Sequence, residues 1–244
     1  MKRVLIAAVV AVAAVGSASA ADLPMKAPEP APAAYNWSGC YLGIEGGGNW
    51  GQSQHIAVSP NPAFNGLPID NSFDLRGALA GGTVGCNYQI SNWVFGIEND
   101  FSWTNKSGAA PDIPPFNVRA TSETSEKWID TLRGRIGVAW DRLLVYGTGG
   151  GAFADTAVNI CGPLRCVGDT QSRTGWAAGA GFEYAVWQNL SLKLEYLHAD
   201  FGTARYINPP VANFVTRDVR LTDDIVRAGL NWRFNWGGPV VARY

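Results

Sequence analysis

Few residues of this 244-residue chain have both the type and the spacing to do chemistry. The chain holds two histidines, His55 and His198, and the acid Asp200 closely follows the second one. A His–acid pair serves hydrolysis only when it activates a nucleophile such as a serine. The spacing identifies no serine partner for this pair. We therefore predict a protein without catalytic residues that is not an enzyme.

Two cofactor patterns can be tested against the sequence. Residues 147–151 read GTGGG but lack the lysine and the following helix of a phosphate-binding loop, so glycine kinks in a curved strand are the better interpretation. Hemin would need an axial histidine or tyrosine. His55, His198 and several tyrosines are available, but no spacing selects one. We predict no cofactor site, and hemin stays an alternative ligand.

The four cysteines favour disulfides over a metal site. Cys161 and Cys166 flank the short polar segment CGPLRC, and we predict a local disulfide between them. For Cys40 and Cys86, a cross-strand disulfide and a pair of small buried hydrophobic residues are equally good interpretations. A zinc site is not predicted, because the close pair has neither a second close pair nor a histidine near it.

Composition excludes several classes of protein. Lys and Arg total 19 against 20 Asp and Glu, which argues against a nucleic-acid partner. Charged residues make up only 16% of the chain, while glycine (29) and tryptophan (10) are abundant. Past residue 20 no apolar run approaches the roughly 18 residues of a membrane-spanning helix. Many glycines and aromatics with few charges suit β-structure that contacts lipid.

The N-terminus predicts export from the cytoplasm. A basic start and an apolar run over residues 4–15 precede a small-residue cleavage pattern at Ala18 to Ala20. We therefore predict a signal peptide over residues 1–20. Residues 21–36 are rich in proline and alanine, and we predict that they form an extended periplasmic tether.

From residue 37 onward, apolar and polar residues alternate with a period of two, which indicates β-strands. Short turns alternate with polar segments of about 20 residues, as in outer-membrane barrels with short periplasmic turns and long outer loops. We predict an all-β fold, an eight-stranded antiparallel up-and-down transmembrane β-barrel over residues 37–244 with four long outer loops. The predicted strands are 37–50, 75–89, 93–104, 128–139, 143–154, 174–186, 190–201 and 224–235, and the predicted loops lie near 51–74, 105–127, 155–173 and 202–223.

A soluble barrel of the lipocalin type would also show eight alternating strands, and the polar face decides between the two. That face is mostly Gly, Ala, Ser and Thr, which suits the crowded interior of an eight-stranded barrel. The other face is bulky and becomes aromatic toward the strand ends, as in a lipid-facing belt with two aromatic girdles. The bulky face is therefore predicted to contact outer-membrane lipid.

The polar face also carries five acids and five bases. A basic residue that faces lipid at mid-depth costs about 2–4 kcal/mol, and a buried charge needs a partner. Neighbouring strands place Glu98 within reach of Arg133, and Glu195 within reach of Arg227. We predict a neutral salt-bridge network that fills the lumen and leaves a narrow, plugged pore. Its members are Glu45, Glu98, Asp100, Arg133, Arg135, Glu183, Lys193, Glu195, Arg227 and Arg233.

The last predicted strand contains an assembly signal. Arg227, Gly229, Trp232 and Phe234 follow the order polar, glycine, aromatic, aromatic that the barrel assembly machinery recognises. Ten residues follow Phe234, which departs from the usual strictly terminal position.

Several segments, among them VFGIENDFSW, WIDTLRGRIGVAW, GWAAGAGFEYAVW and VRAGLNWRF, resemble the outer-membrane immunogenic proteins of alphaproteobacteria. These form the RopB-type porin family within the OmpA-like small transmembrane barrels. The resemblance covers the mature chain apart from the long loops. It implies an eight-stranded barrel, an abundant envelope component with variable surface loops, and no catalytic residues to carry over. Hemin binding is reported for some relatives.

We therefore predict a structural surface protein of the Gram-negative outer membrane with weak small-solute permeability. The alternative is a surface protein that binds hemin or a host molecule through its extracellular loops. Expected partners are outer-membrane lipid and the barrel assembly machinery, and no nucleic acid.

Overall fold

The computed structural model describes residues 35–207 and 215–234. The predicted signal peptide, residues 21–34 of the predicted tether and the last ten residues lie outside the described residues. No helix of the described part is long and apolar enough to cross a membrane. The strands are β1 (Gly39–Val58), β2 (Phe73–Ile90), β3 (Trp93–Thr104), β4 (Ser107–Pro111), β5 (Thr121–Trp140), β6 (Leu143–Cys161), β7 (Cys166–Ala185), β8 (Leu190–Tyr206) and β9 (Thr216–Phe234).

The strands form one closed antiparallel ring. Apart from β3 and β4, consecutive strands pair with one another, and β1 pairs with both β2 and β9. The short β4 continues the line of β3, since both pair with β5 and β4 also meets β2 at Arg76. Together they occupy one position in the ring. The nine strand segments therefore form eight strand positions, which we call staves. The predicted eight-stranded antiparallel barrel is confirmed.

The register gives the stagger of the ring. A path perpendicular to the strands leaves β1 at Cys40, passes Cys86 and Ile97, and comes back through Asp224 to β1 at Trp50. These two positions of β1 are ten residues apart. In an eight-stranded barrel this stagger tilts the strands by about 40°, which is the usual tilt in transmembrane barrels.

The interruption between β3 and β4 turns one basic side chain inward. A Cβ on Gly77 would lie 2.5 Å from the main chain of Lys106, so only glycine lets the two strands approach there. On the neighbouring strand β5, the pairing with β6 has a bulge between Glu126 and Trp128. The two irregularities together place the Lys106 side chain inside the barrel, where it is 1% exposed.

The strands continue further outward than the sequence analysis predicts. Residues 51–58 and 121–127, predicted as loop, are strand. The outer connections are only 59–72, 112–120, 162–165 and the segment between Tyr206 and Thr216. The predicted bounds of the four long loops are therefore wrong. Both faces of the outer strand segments carry polar residues, so the alternation that indicates a strand disappears there.

The outward face of the predicted strand segments is apolar, as expected for contact with lipid. Ile44 and Ile97 are more than 60% exposed, although they lie in the middle of strands. Aromatic side chains lie at both ends of this belt. The periplasmic girdle contains Tyr88, Trp93, Trp140, Tyr184 and Trp187, and the outer girdle contains Trp50, Trp103, Trp128 and Trp176.

Both cysteine pairs form disulfides. Cys161 pairs with Cys166 across the turn between β6 and β7. Cys40 pairs with Cys86 across β1 and β2, near the periplasmic end of the belt. The second bond decides between the two interpretations that the sequence leaves open for these cysteines.

Candidate functional site

The interior of the membrane-embedded part is a candidate functional site because every charge predicted for the lumen is buried there. Arg133 of β5 is its centre. The Arg133 guanidinium donates to Glu98 at 2.9 Å and to Glu195 at 3.1 Å, and it also contacts Asp100. One cation thus joins acids from β3 and from β8 on the other side of the barrel.

Two further cations share the same acids. Arg227 donates to Glu195 at 2.6 Å and lies 2.8 Å from Asp100. The Lys193 ammonium lies 3.2 Å from Glu98 and 3.4 Å from both Asp100 and Glu45. Each acid therefore has more than one cationic neighbour, as a buried carboxylate needs.

Arg135 extends this network toward the periplasm. It donates to Glu98 at 3.2 Å and to Glu183 at 3.0 Å. The guanidinium also lies over the rings of Tyr146, at 4.7 Å, and Tyr41, at 5.3 Å. Both hydroxyls donate to acids of the network, Tyr41 to Glu98 at 2.6 Å and Tyr146 to Glu195 at 3.0 Å. The sequence analysis did not select these tyrosines, although Tyr41 alternates in phase with Glu45.

Arg233 has a different role from the one predicted for it. Its guanidinium donates to the main-chain oxygens of Asn36 and Gln188 and lies 4.3 Å above the ring of Tyr35. Within the described residues it forms no ion pair with a carboxylate, so its place in the ionic network is not reproduced. The reason is its position at the periplasmic end of β9, nearer the periplasm than the acids of the network.

The chain segment before β1 covers the periplasmic mouth. Trp37 is 2% exposed and donates through its indole nitrogen to the Asp141 carbonyl at 3.1 Å. The Tyr35 amide donates to the Asp141 carboxylate at 3.0 Å. Tyr35 and Asn36, predicted to belong to an extended tether, are thus packed against the barrel. Their aromatic and hydrogen-bonding contacts outweigh the extended preference of the Pro/Ala-rich segment.

Three carboxylates of the network, Glu98, Asp100 and Glu195, come within the distance at which side chains can hold a metal ion. Arg133 contacts all three of them, and Lys193 and Arg227 approach them from other sides. The positive charge that such a cluster requires is therefore supplied by the protein itself.

A second ionic cluster lies in the outer half of the barrel, and the sequence analysis missed it. Lys106 donates to Glu126 at 3.1 Å and also contacts Asp223, and all three side chains are buried. Both Lys106 and Glu126 fall in a predicted loop. No alternation signal could have found them, since the segment 121–127 of β5 is polar on both faces.

His55 belongs to a third polar cluster below the outer mouth. Its Nδ1 lies 2.9 Å from Asp70, and its Nε2 lies 3.0 Å from the Thr124 hydroxyl and 3.2 Å from the Ser53 hydroxyl. This connectivity is that of a Ser–His–Asp triad. All four residues are buried, with at most 1% exposure, so substrate has no access to them.

His198 lies on the outer surface of the barrel near the outer girdle. Its Nδ1 is 2.9 Å from Asp224, which also accepts a hydrogen bond from the Tyr196 hydroxyl at 2.6 Å. Asp200, the acid that the sequence places beside His198, instead pairs with Arg220 at 3.4 Å. The two histidines thus lie in different environments: His55 is buried inside the barrel, 3.4 Å from Arg217, and His198 lies on the outer surface.

One cavity of about 270 Å³ opens at the outer mouth. Its walls include Phe116, Leu164 and Val215, with Asp112 and Arg217 at the polar end. Arg217 donates to Ser122 at 2.6 Å, and Ser122 donates to Asp112 at 2.6 Å. Burial raises the pKa of the Asp112 carboxyl, and the hydrogen bond from Ser122 and the charge of Arg217 oppose this rise. The cavity combines an apolar wall with a charged end.

Comparison with known proteins agrees with this geometry. The family model "Outer membrane protein beta-barrel domain" matches residues 7–234. The chain belongs to this family. It is also 34% identical to the 31 kDa outer-membrane immunogenic protein of Brucella melitensis, over 96% of this chain and 100% of that protein. It therefore belongs to the outer-membrane immunogenic proteins of alphaproteobacteria and lies in the outer membrane.

Two further comparisons place the family and the fold. The chain is 28% identical to a 22 kDa outer membrane protein of Rhizobium leguminosarum bv. viciae, over 72% of this chain and 70% of that one. The crystal structure of the outer membrane protease OmpT from Escherichia coli superposes with a TM-score of 0.50 at 10% identity, covering 83% of this chain and 99% of that chain. At this identity the likeness concerns the fold alone.

Proposed function

We propose that this barrel is a structural surface protein of the outer membrane that is closed to most solutes and is not an enzyme. The observation that carries the proposal is the filled lumen. Arg133 joins acids of opposite staves, and Arg135 lies between two tyrosine rings, so side chains occupy the cross-section of the embedded part. Eight strands leave room for side chains and little else. Permeability is therefore weak at most.

The two ends support the same proposal. Tyr35 and Trp37 pack across the periplasmic mouth, and the Lys106 cluster lies across the outer half. A solute would have to displace ion pairs at two levels and aromatic rings at a third. The relatives' names describe outer-membrane immunogenic proteins, which is compatible with a role at the cell surface.

Planar-bilayer recording tests the proposal directly. The refolded barrel should give no steady conductance, whereas an open porin recorded in parallel should give its usual steps. Faster migration of the unboiled protein in detergent electrophoresis verifies that the sample is folded. A steady conductance of small-porin size from the folded protein would refute the closed lumen.

The alternative function, ligand binding at the outer end, has support from the cavity beside Phe116 and Arg217. The buried His55 and the lipid-facing His198 are poorly placed to supply an axial ligand for hemin there. A hemin titration, followed by absorbance, distinguishes binding through the histidines from binding in the cavity. Saturable binding that is lost on His55→Ala or His198→Ala would favour the histidines, and binding that is lost only on Arg217→Ala would favour the cavity.

We also propose that Arg227, Gly229, Trp232 and Phe234 form the signal for the assembly machinery. Trp232 and Phe234 point away from the barrel interior near the periplasmic end of β9, the strand that closes the ring with β1. Phe234→Ala should lower the amount of folded barrel in the outer membrane several-fold. Trp187→Ala, in a turn at the same end, is the matched control and should leave that amount unchanged.

A further inference from the structure

One acid lies on the lipid-facing surface of the barrel with an incomplete set of partners. Asp130 of β5 points outward, two positions nearer the periplasm than the girdle residue Trp128. At about 3.3 Å per residue and a tilt of about 40°, its carboxylate lies about 5 Å below the girdle. An ionisable residue at this depth is a functional-site hypothesis by default.

The protein itself supplies only part of what this carboxylate needs. Asn99 donates from Nδ2 to Asp130 Oδ1 at 2.7 Å, and it also donates to the Thr131 carbonyl at 3.1 Å. Among the described residues, no basic side chain comes within ion-pair distance of Asp130. Two bases lie three residues away along the strand: Arg133 points into the interior, and Lys127 is exposed at the bulge beyond Trp128.

Aromatic residues flank the same position in the register. Asp130 stands directly opposite Phe101 of β3 on one side and Phe153 of β6 on the other. The Phe101 ring stacks on Trp128 at 5.9 Å and meets Trp103 edge-on at 4.9 Å. We call Asp130, Phe101, Trp128 and Phe153 the aromatic box.

A second acid at similar depth shows that this arrangement is not general. Asp224 of β9 also faces outward just below the outer girdle, but its own chain satisfies it. It accepts hydrogen bonds from Tyr196 at 2.6 Å and pairs with His198 at 2.9 Å. In the register its partners are Trp50 and His198, and the His198 imidazole is itself the group that pairs with the carboxylate.

A carboxylate among aromatic rings is the chemistry that recognises an ammonium group. Ring faces attract cations, quaternary ammonium groups above all, and a desolvated position strengthens the attraction. The site opens sideways into the outer leaflet, just below the level of the headgroups. We propose that the aromatic box binds the ammonium headgroup of an outer-leaflet lipid. The proposal does not depend on whether the lumen conducts.

Native mass spectrometry of the folded full-length protein tests this. The protein in non-ionic detergent is given equal amounts of phosphatidylcholine and phosphatidylglycerol with identical acyl chains. One ion pair and one cation–π contact should favour the first bound phosphatidylcholine by about fivefold. Asp130→Asn, which keeps the side-chain shape, should abolish this preference, and Phe101→Leu should reduce it.

Two control variants make the test decisive. Asp224→Asn removes an outward acid at similar depth and should keep the preference, while Lys127→Gln removes the nearest competing cation and should keep or raise it. Equal binding of both lipids by the wild type would overturn the proposal. So would a preference that survives in Asp130→Asn, or one that Asp224→Asn removes equally. If Asp130→Asn fails to fold, Phe101→Leu carries the test.

Discussion

The embedded half and the outer half of this barrel differ in where their apolar side chains point. In the embedded half, Ile44 and Ile97 point outward and Arg133 points inward. In the outer half, Val158, Ile160 and Val219 point inward, while Gln54 and Glu123 point away from the interior. The wall is one continuous sheet, so the backbone does not decide which face is apolar. The solvent outside the wall decides it.

The difference also separates two kinds of interior. The embedded half holds one network in which Arg133, Lys193 and Arg227 share the same acids. The outer half holds two smaller clusters, around Lys106 and around His55, and a hydrophobic cluster that includes Val158, Ile160 and Val219. Loss of one charged side chain should therefore lower the free energy of unfolding more in the embedded half than in the outer half.

The largest expected effect is from Arg133→Ala. Glu98, Asp100 and Glu195 would lose a shared cation in a buried setting, so the free energy of unfolding should fall by about 3–5 kcal/mol. Urea unfolding in detergent, followed by the gel mobility of the folded form, measures this. Arg205→Ala removes an exposed arginine of the outer half that pairs with Asp218 at 2.9 Å, and it should have little effect. Equal losses of unfolding free energy in the two variants would contradict the difference between the two halves.

The next effect concerns the two disulfides. Cys40 and Cys86 are 46 residues apart and Cys161 and Cys166 are five apart, so the first bond restricts the unfolded chain more. Chain entropy gives about 4 kcal/mol for the first bond and about 2 kcal/mol for the second. Cys40→Ser with Cys86→Ser should therefore lower the unfolding midpoint more than the matched pair of changes at Cys161 and Cys166. The same urea assay ranks them, and a reversed order would contradict this account.

The smallest expected effect tests whether the outward face is in contact with lipid in the embedded half and with water in the outer half. Ile44→Arg places a charge at mid-depth in lipid and should cost about 2–4 kcal/mol. Gln54→Arg lies on the same strand and the same face, above the belt, and should change stability by less than about 0.5 kcal/mol. Refolding into vesicles, followed by tryptophan fluorescence, gives both values. A similar cost at both positions would mean that lipid covers the outer half too.

Sequence reasoning succeeded where lipid imposes a pattern. The alternation of bulky and small residues was sufficient to predict the eight staves and to place Glu98, Arg133 and Arg227 inside. It failed above the girdle, where a residue such as Gln52 faces water and the inward Ser53 is also polar. Lys106 was out of reach because its inward turn depends on Gly77 and on the bulge beside Glu126, neither of which has a distinct sequence signal. The tyrosines against Arg135 could have been found from their phase alone.

The outward continuation of the strands changes what a molecule meets when it approaches the cell. About eight residues per stave rise beyond the belt, which at this tilt is a rigid turret about 20 Å tall. Its flanks, more than the tips of the connections, make up the area open to external contact. Antibodies raised against short linear peptides from this region should bind the intact turret poorly, because its residues are fixed in hydrogen-bonded sheet.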